Sequence, residues 1–459
     1  MNDRPLVVVL TSHWIAMLGV ALVTLAGFSW LFVLPANIRG HVENPYIGLL
    51  VFIAIPAVFL TGLILIPIGI ALGRHRITDR PAAMRRAGIF FAIMTLANLV
   101  IASQGSYRAV EHMETVQFCG QTCHVMKPEF TAHGFPPHQA VGCASCHIAP
   151  GATGWVRAKM AGTRQLLAVV FNNYPRPIES AMEANKLVSS ADTCEQCHTH
   201  GEASPPRLRI ITEYKDDETN SRMDTVLIML VGKIHQAHMG PGVQMRYVPQ
   251  DKKRQNIPWV EYRNSGSGVT RTYAAAGANI AGLPIFEMQC VDCHNRAAHS
   301  FEDPARAIDK DIAGGQIPIG LPFVKKTGLE LIKASYSSDD EAAAKIKAGL
   351  AAFYQQKYPD VSAKRGADVQ AAGTALAELY GRNVFPDLKV TWGTYPNNLG
   401  HTDFPGCFRC HDDAHSTGDK KTISQDCDTC HKALAMEESS PEILKSLGIA
   451  DLLTSRQKP

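Results

Sequence analysis

The first hundred residues alternate long apolar stretches with short charged segments. Three stretches contain no Asp, Glu, Lys or Arg, namely 5–38, 44–73 and 87–107. A helix of about 20 apolar residues is long enough to cross the hydrocarbon layer of a bilayer. The pattern therefore predicts three transmembrane helices, at about 12–34, 47–72 and 87–105.

The charges between these stretches predict the orientation. The first apolar run is far longer than a signal-peptide core, which favours an uncleaved anchor. The segment "GRHRITDRPAAMRR" between the second and third stretches has five arginines against one aspartate. Positive segments of this kind stay in the cytoplasm. We therefore expect a bacterial inner-membrane protein with a cytoplasmic N-terminus and a periplasmic chain after about residue 106.

The remaining chain predicts helices and loops. Residues 337–357, "SSDDEAAAKIKAGLAAFYQQK", combine a capping box at Ser338 and Glu341 with an Ala-rich amphipathic run, and 366–381 predict a second helix. We expect both helices to have a packing role. The predicted domains are a membrane domain at 1–105, a domain at 106–300, a helical insertion at 301–400 and a C-terminal segment at 401–459.

Charge excludes one class of partner. The chain carries a net charge of +3, and residues 1–103 hold seven Lys or Arg against three Asp or Glu. The chain after residue 103 therefore has a net charge of −1. Without a basic surface, it is not expected to bind nucleic acid.

All twelve cysteines fall into six pairs, and a histidine follows each pair directly. Five pairs read CxxCH, and the first has one additional residue between its cysteines. The motifs are Cys119, Cys123, His124; Cys143, Cys146, His147; Cys194, Cys197, His198; Cys290, Cys293, His294; Cys407, Cys410, His411; and Cys427, Cys430, His431. CxxCH is the attachment signature of c-type haem.

The competing interpretations explain the pattern less well. Zinc knuckles need two CxxC pairs for one metal and no histidine after each pair. A disulfide framework would show varied spacings. We therefore predict six covalently bound haem c groups, in a mainly α fold whose periplasmic part is a loop-rich, haem-packed cytochrome c domain.

The histidine supply predicts the coordination of these groups. Of eighteen histidines, six belong to the motifs, and His13, His41 and His75 lie in or between the apolar stretches. Nine others remain: His112, His133, His138, His200, His235, His238, His299, His401 and His415. This number is enough to give most irons a second imidazole, which is typical of electron transfer. We expect His401 and His415 to be distal ligands of the C-terminal pair.

The segments "METVQFCGQTCHVMKPEF", "PPHQAVGCASCHIAPG", "VRAKMAGTRQL" and "CVDCHNRAAH" resemble the NapC/NirT family of membrane-anchored multihaem quinol dehydrogenases. The resemblance implies a first haem beside a quinol pocket, with Met126 as a possible iron ligand. It implies distal ligands at His138 and His299, and at one of His235 and His238. The family's lysine corresponds to Lys159.

The chain also departs from that family. It has three apolar stretches, two long insertions and two further motifs, a plan that resembles the inner-membrane multihaem cytochromes of metal-reducing bacteria. Gln165 stands where the family has an acidic residue that accepts a proton. Glu111 and Glu114, just before the first motif, are our candidates for that role.

These observations predict a function. We expect the protein to oxidise menaquinol or another quinol from the membrane pool and to pass electrons to a periplasmic cytochrome or reductase in anaerobic or extracellular respiration. Two alternatives remain open. One is a terminal multihaem reductase of a small substrate such as nitrite, and the other is an electron-wiring subunit of a larger membrane complex.

Overall fold

The computed structural model describes residues 6–37, 53–73, 80–198 and 204–449. It divides into two compact units, Met1–Phe118 and Cys119–Pro459. Some sequence predictions lie outside the described residues. They concern the start of the second apolar helix (47–52), part of the arginine-rich segment (74–79), and His41, His75 and His200.

The first unit is helical. In the part that the structure describes, a short helix α1 is followed by three long apolar helices: α1 (Leu6–Leu10), α2 (Trp14–Asn37), α3 (Ile55–Gly73) and α4 (Arg80–Met113). Among the described residues, three stretches are long and apolar enough to cross a membrane: Trp14–Leu31, Ile55–Gly73 and Pro81–Met113. The prediction of three membrane helices is confirmed in this sense. Helix α4 continues well beyond the predicted 87–105, into a charged segment.

Helices α2 and α3 pack through small residues. A Cβ atom added to Gly19 would lie 2.7 Å from the Gly62 carbonyl oxygen, and one added to Gly69 would overlap the backbone of Ala16. Apolar burial does not distinguish a neighbouring helix from lipid, so close backbone approach is what favours helix contact in a membrane. These glycines therefore hold the two helices together.

The second unit mixes helices and strands. Its elements in chain order are α5 (Lys127–His133), α6 (Cys143–His147), α7 (Gly151–Val170), β1 (Arg207–Tyr214), β2 (Arg222–Met229), α8 (Val231–Met239), β3 (Val243–Val248), β4 (Trp259–Asn264), β5 (Val269–Ala274), β6 (Phe286–Glu287), α9 (Cys290–Cys293), α10 (Pro304–Ala313), α11 (Val324–Lys333), α12 (Asp339–Lys357), α13 (Pro359–Lys364), α14 (Gly366–Asn383), β7 (His431–Glu438) and α15 (Glu442–Ser446).

The strands form two antiparallel sheets that the sequence did not predict. One has the order β1-β2-β7, and the other has the order β5-β4-β3-β6. In the first sheet Arg207 pairs with Met229 and Tyr214 with Arg222, and His431 of the sixth motif also pairs with Met229. About half of the chain is helical. The mainly α prediction therefore holds for the first unit and is incomplete for the second.

The largest apolar core of the second unit lies in the helical insertion. Fully buried Ile308, Ile332, Leu350 and Leu376 come from α10, α11, α12 and α14 in turn. The two predicted helices in this region are confirmed as α12 and α14. The domain boundaries proposed at 300 and 400 stay predictions.

The start of α12 follows the predicted cap. The Ser338 hydroxyl accepts a hydrogen bond from the Glu341 amide at 3.2 Å. The Glu341 carboxylate accepts from the Ser337 amide at 2.6 Å, one residue earlier than a capping box requires. The helix start was thus predicted correctly, with a shifted reciprocal bond.

Candidate haem-binding site

Four of the five regular motifs turn the chain so that the histidine follows the two thiols at a fixed distance. The amides of His198, His294 and His411 donate to the carbonyl of the first cysteine in their motifs, at 2.8, 2.8 and 3.1 Å. The second motif forms the one-turn helix α6. One tight turn therefore fixes the position of the imidazole ring relative to the two sulfur atoms.

The first motif accommodates its additional residue in a π-helical turn, Phe118–Thr122. Such turns absorb one inserted residue. Gly120 lies so close to the Phe130 ring that an added Cβ would overlap it. A 3₁₀ turn, His124–Met126, follows, and the Met126 amide donates to the Cys123 carbonyl at 2.8 Å. His124 and Met126 therefore share one turn.

Cysteine thiols of neighbouring motifs lie close enough to shift each other's pKa values. A hydrogen bond with Cys119 lowers the pKa of the Cys143 thiol to about 7. Burial raises the pKa of the Cys293 thiol to about 11, and the nearby Cys407 adds to this rise. Burial and Cys407 also raise the pKa of Cys430. The first motif thus lies beside the second, the fourth lies beside the fifth, and the fifth lies beside the sixth.

Five motif histidines each lie opposite a histidine from elsewhere in the chain, with similar separations between ring centroids. The pairs are His147 with His299 (6.1 Å), His198 with His138 (6.1 Å), His294 with His235 (6.3 Å), His411 with His238 (5.8 Å) and His431 with His401 (6.2 Å).

This spacing suits two imidazoles that bind one iron from opposite sides. A metal-bound imidazole nitrogen lies about 2 Å from its metal, so two opposed ring centres are separated by roughly 6 Å once the ring radius is added. The five pairs therefore fit bis-histidine haem.

Hydrogen bonds orient several of these rings. The Nδ1 atoms of His138, His238, His299 and His411 lie 2.8–3.0 Å from backbone carbonyl oxygens. A carbonyl only accepts, so in the tautomer that makes this bond Nδ1 carries the proton and Nε2 keeps its lone pair. Metal-binding histidines are commonly held in this way. Burial also lowers the pKa of His299 to about 4, which keeps its imidazole neutral.

Two other histidines are held differently. His133 lies 6.0 Å from His299 by ring centroids, but its Nε2 is 2.9 Å from the Val141 carbonyl oxygen. His415 is buried, with Nδ1 2.9 Å from the Asp412 carboxylate and Nε2 2.6 Å from the Ile257 carbonyl. Both nitrogens of His415 therefore face oxygen acceptors, and neither has a lone pair directed at a metal.

The residues expected to contact quinol in the second unit lie on α7. Lys159 is half-buried, and its ammonium is 5.3 Å from the centre of the Trp155 ring. Gln165 is exposed on the same helix. This helix also exposes large apolar side chains, among them Trp155, Val156, Met160, Leu166, Leu167 and Val170. An exposed apolar surface of this kind, interspersed with cations, is typical of helices at a membrane interface.

The acidic candidates differ in their surroundings. Glu111 is exposed and forms an ion pair with Arg108 at 2.8 Å, whereas Glu114 is half-buried. Glu129, which we did not single out in the sequence, has a pKa raised by burial, and its carbonyl accepts from His299. Its Oε2 and the Nε of Arg296 are buried, with no hydrogen-bond partner among the described residues. The Arg296 Nε–H is a hydrogen-bond donor of the kind that binds a propionate carboxylate.

The chain is similar to the cytochrome c-type protein ImcH of Geobacter sulfurreducens. The two are 36% identical over 461 residues, which cover 93% of this chain and 89% of ImcH. No family model matches the chain, and no solved structure matches it. This likeness over most of both chains implies covalently bound haem c.

Proposed function

Since the chain belongs to the family of cytochrome c-type proteins that includes ImcH, we propose that it is a membrane-anchored hexahaem cytochrome that oxidises menaquinol or a related quinol. The electrons pass to a periplasmic cytochrome or reductase in anaerobic or extracellular respiration. The observation that carries this proposal is the set of five histidine pairs with ring centroids 5.8–6.3 Å apart.

Paired imidazoles favour electron transfer over substrate reduction. Covalent haem c supplies one-electron transfer when it is bound. A terminal reductase needs an iron with an open coordination position, and five of the six motif histidines face a second imidazole. The first motif, with Met126 two residues after His124, is the exception that we assign to electron input.

Quinol oxidation releases two electrons and two protons, so the chain must hold the quinol oxygen and accept protons. Lys159 is the proposed hydrogen-bond donor to that oxygen, since its ammonium lies on a helix with an exposed apolar surface that a lipid-dissolved substrate can approach. Gln165 cannot accept a proton at neutral pH. We therefore keep Glu111 and Glu114, which precede the first motif in the sequence, as the proposed acceptors.

The test is reduction of the purified, detergent-solubilised protein by a menaquinol analogue, followed at the haem α band in stopped flow. Lys159→Ala and Met126→Ala should each slow this reduction at least tenfold, while dithionite still reduces all haem. The matched control is Arg164→Ala, which removes an exposed cation from the same helix. It should reduce at the wild-type rate.

Two outcomes would contradict the proposal. Wild-type rates in both Lys159→Ala and Met126→Ala would show that neither residue contributes to electron input. An intact wild-type protein that quinol cannot reduce would instead favour the electron-wiring role, in which electrons arrive from another subunit.

A further inference from the structure

Helix α8 connects three of the attachment motifs. The Leu230 amide, directly before the helix, donates to the Cys430 carbonyl of the sixth motif at 2.9 Å. The helix carries two histidines, His235 and His238, whose rings lie 6.3 Å from His294 and 5.8 Å from His411. The partners of the two histidines therefore belong to different motifs, the fourth and the fifth.

Helix geometry allows both contacts at once. Residues three apart point to the same face of a helix and are separated by about 4.5 Å along its axis. The His238 Nδ1 is 2.8 Å from the Ile234 carbonyl of the same helix. This bond orients the opposite nitrogen, Nε2, away from the helix backbone. The His411 ring is held in the same way by the Ser424 carbonyl, at 2.8 Å.

Independent contacts hold the two motifs side by side. Arg409, inside the fifth motif, donates to the Asp292 carbonyl inside the fourth motif at 2.7 Å and to the Arg254 carbonyl at 2.9 Å. The buried Arg254 in turn binds the Asp292 carboxylate at 2.9 Å. The two attachment loops are thus fixed to each other by charged side chains, and α8 lies against the histidine of each loop.

The geometry points to a double ligand role for one helix: with haem bound, His235 would be the second histidine ligand of the fourth haem, and His238 would be the second histidine ligand of the fifth. His415, which follows the fifth motif closely in sequence, has a structural role, because both of its nitrogens face oxygen acceptors. The inference rests on the proposed hexahaem composition but not on quinol oxidation.

The test counts open irons in the full-length holoprotein. After reduction by dithionite, carbon monoxide binds a haem that has lost its distal ligand, and a pyridine haemochrome assay checks that haem content is unchanged. His235→Ala and His238→Ala should each add one carbon monoxide site per chain, and the double variant should add two. His415→Ala, the matched control, should add none.

A second variant covers the case in which His238→Ala loses haem. His238→Met retains a ligand, so the affected haem should stay low-spin while its midpoint potential rises above the wild-type value. The inference fails if His415→Ala opens a site and the His238 variants change nothing, or if the double variant opens only one. Neither measurement uses quinol, so a protein that fails to oxidise quinol would still test this inference.

Discussion

Replacing Lys325 with methionine leaves the Asp309 carboxylate buried without its cation. In the helical insertion, Lys325 on α11 lies 2.8 Å from the carboxylate of Asp309 on α10, and it also donates to the Tyr214 carbonyl at the end of β1. The two residues are 8% and 3% exposed. This pair connects the first sheet to the largest apolar core, at residues separate from the haem motifs.

The expected loss in the free energy of unfolding is about 3–5 kcal/mol, the cost of removing one partner from a buried ion pair. Combining Lys325→Met with Asp309→Leu should recover part of this loss, because no charge is then left buried, although the Tyr214 carbonyl and amide lose the Lys325 and Asp309 side chains as partners. Lys326→Met, which removes the exposed neighbouring lysine, should have almost no effect.

The loss should also depend on pH. Burial raises the pKa of Asp309 to about 6, although Lys325 lowers it. Without the lysine this pKa rises further. A carboxyl whose pKa is higher in the folded than in the unfolded state binds its proton more tightly when the protein is folded. Its contribution to stability is therefore greatest below the unfolded pKa and is lost as pH rises through the folded pKa. The deficit of the variant should therefore be smaller at pH 5 than at pH 8.

The assay is urea unfolding of the detergent-solubilised protein, followed by far-ultraviolet circular dichroism at both pH values. A single variant as stable as the wild type at pH 8 would refute the assignment of a buried ion pair. A deficit of the same size at pH 5 would show that the loss comes from packing and not from charge.

Two further predictions concern composition and membrane packing. A pyridine haemochrome assay should return six haems per chain, because the six motifs use all twelve cysteines, and a value of four or fewer would contradict the hexahaem proposal. Gly69→Leu should greatly reduce the yield of folded membrane protein, since the added side chain overlaps Ala16, whereas Gly88→Leu, where an added Cβ meets nothing within 4 Å, should not. Equal yields of the two variants, measured in detergent extracts, would exclude the proposed contact between α2 and α3.

The parts of the fold that were predictable depend on local sequence. A helix that crosses a membrane must satisfy its backbone internally, and the part that crosses lacks charge, so composition alone identifies it. A sheet depends on partners that are distant in the chain. Strand β1, "RLRIITEY", has charged residues at both ends, and β2 pairs on its other edge with β7, which begins at His431. Nothing within β1 or β2 indicates these neighbours.

The same distinction explains the haem ligands. A motif histidine is fixed by its own cysteines, so its role can be predicted from five or six letters of sequence. A distal ligand is fixed by tertiary structure, and proximity in sequence does not identify it. His415 lies four residues after His411, yet Asp412 and the Ile257 carbonyl engage both of its nitrogens.

His238 lies far from His411 in sequence and meets it through the packing of α8, at a centroid distance of 5.8 Å. A carbonyl that holds one ring nitrogen of a histidine leaves the other nitrogen with its lone pair, which favours a ligand role. His238 meets that condition through Ile234. These contacts favour His238 over His415 as the proposed distal ligand of the fifth haem, whereas the sequence analysis predicted His401 and His415 as ligands of the C-terminal pair.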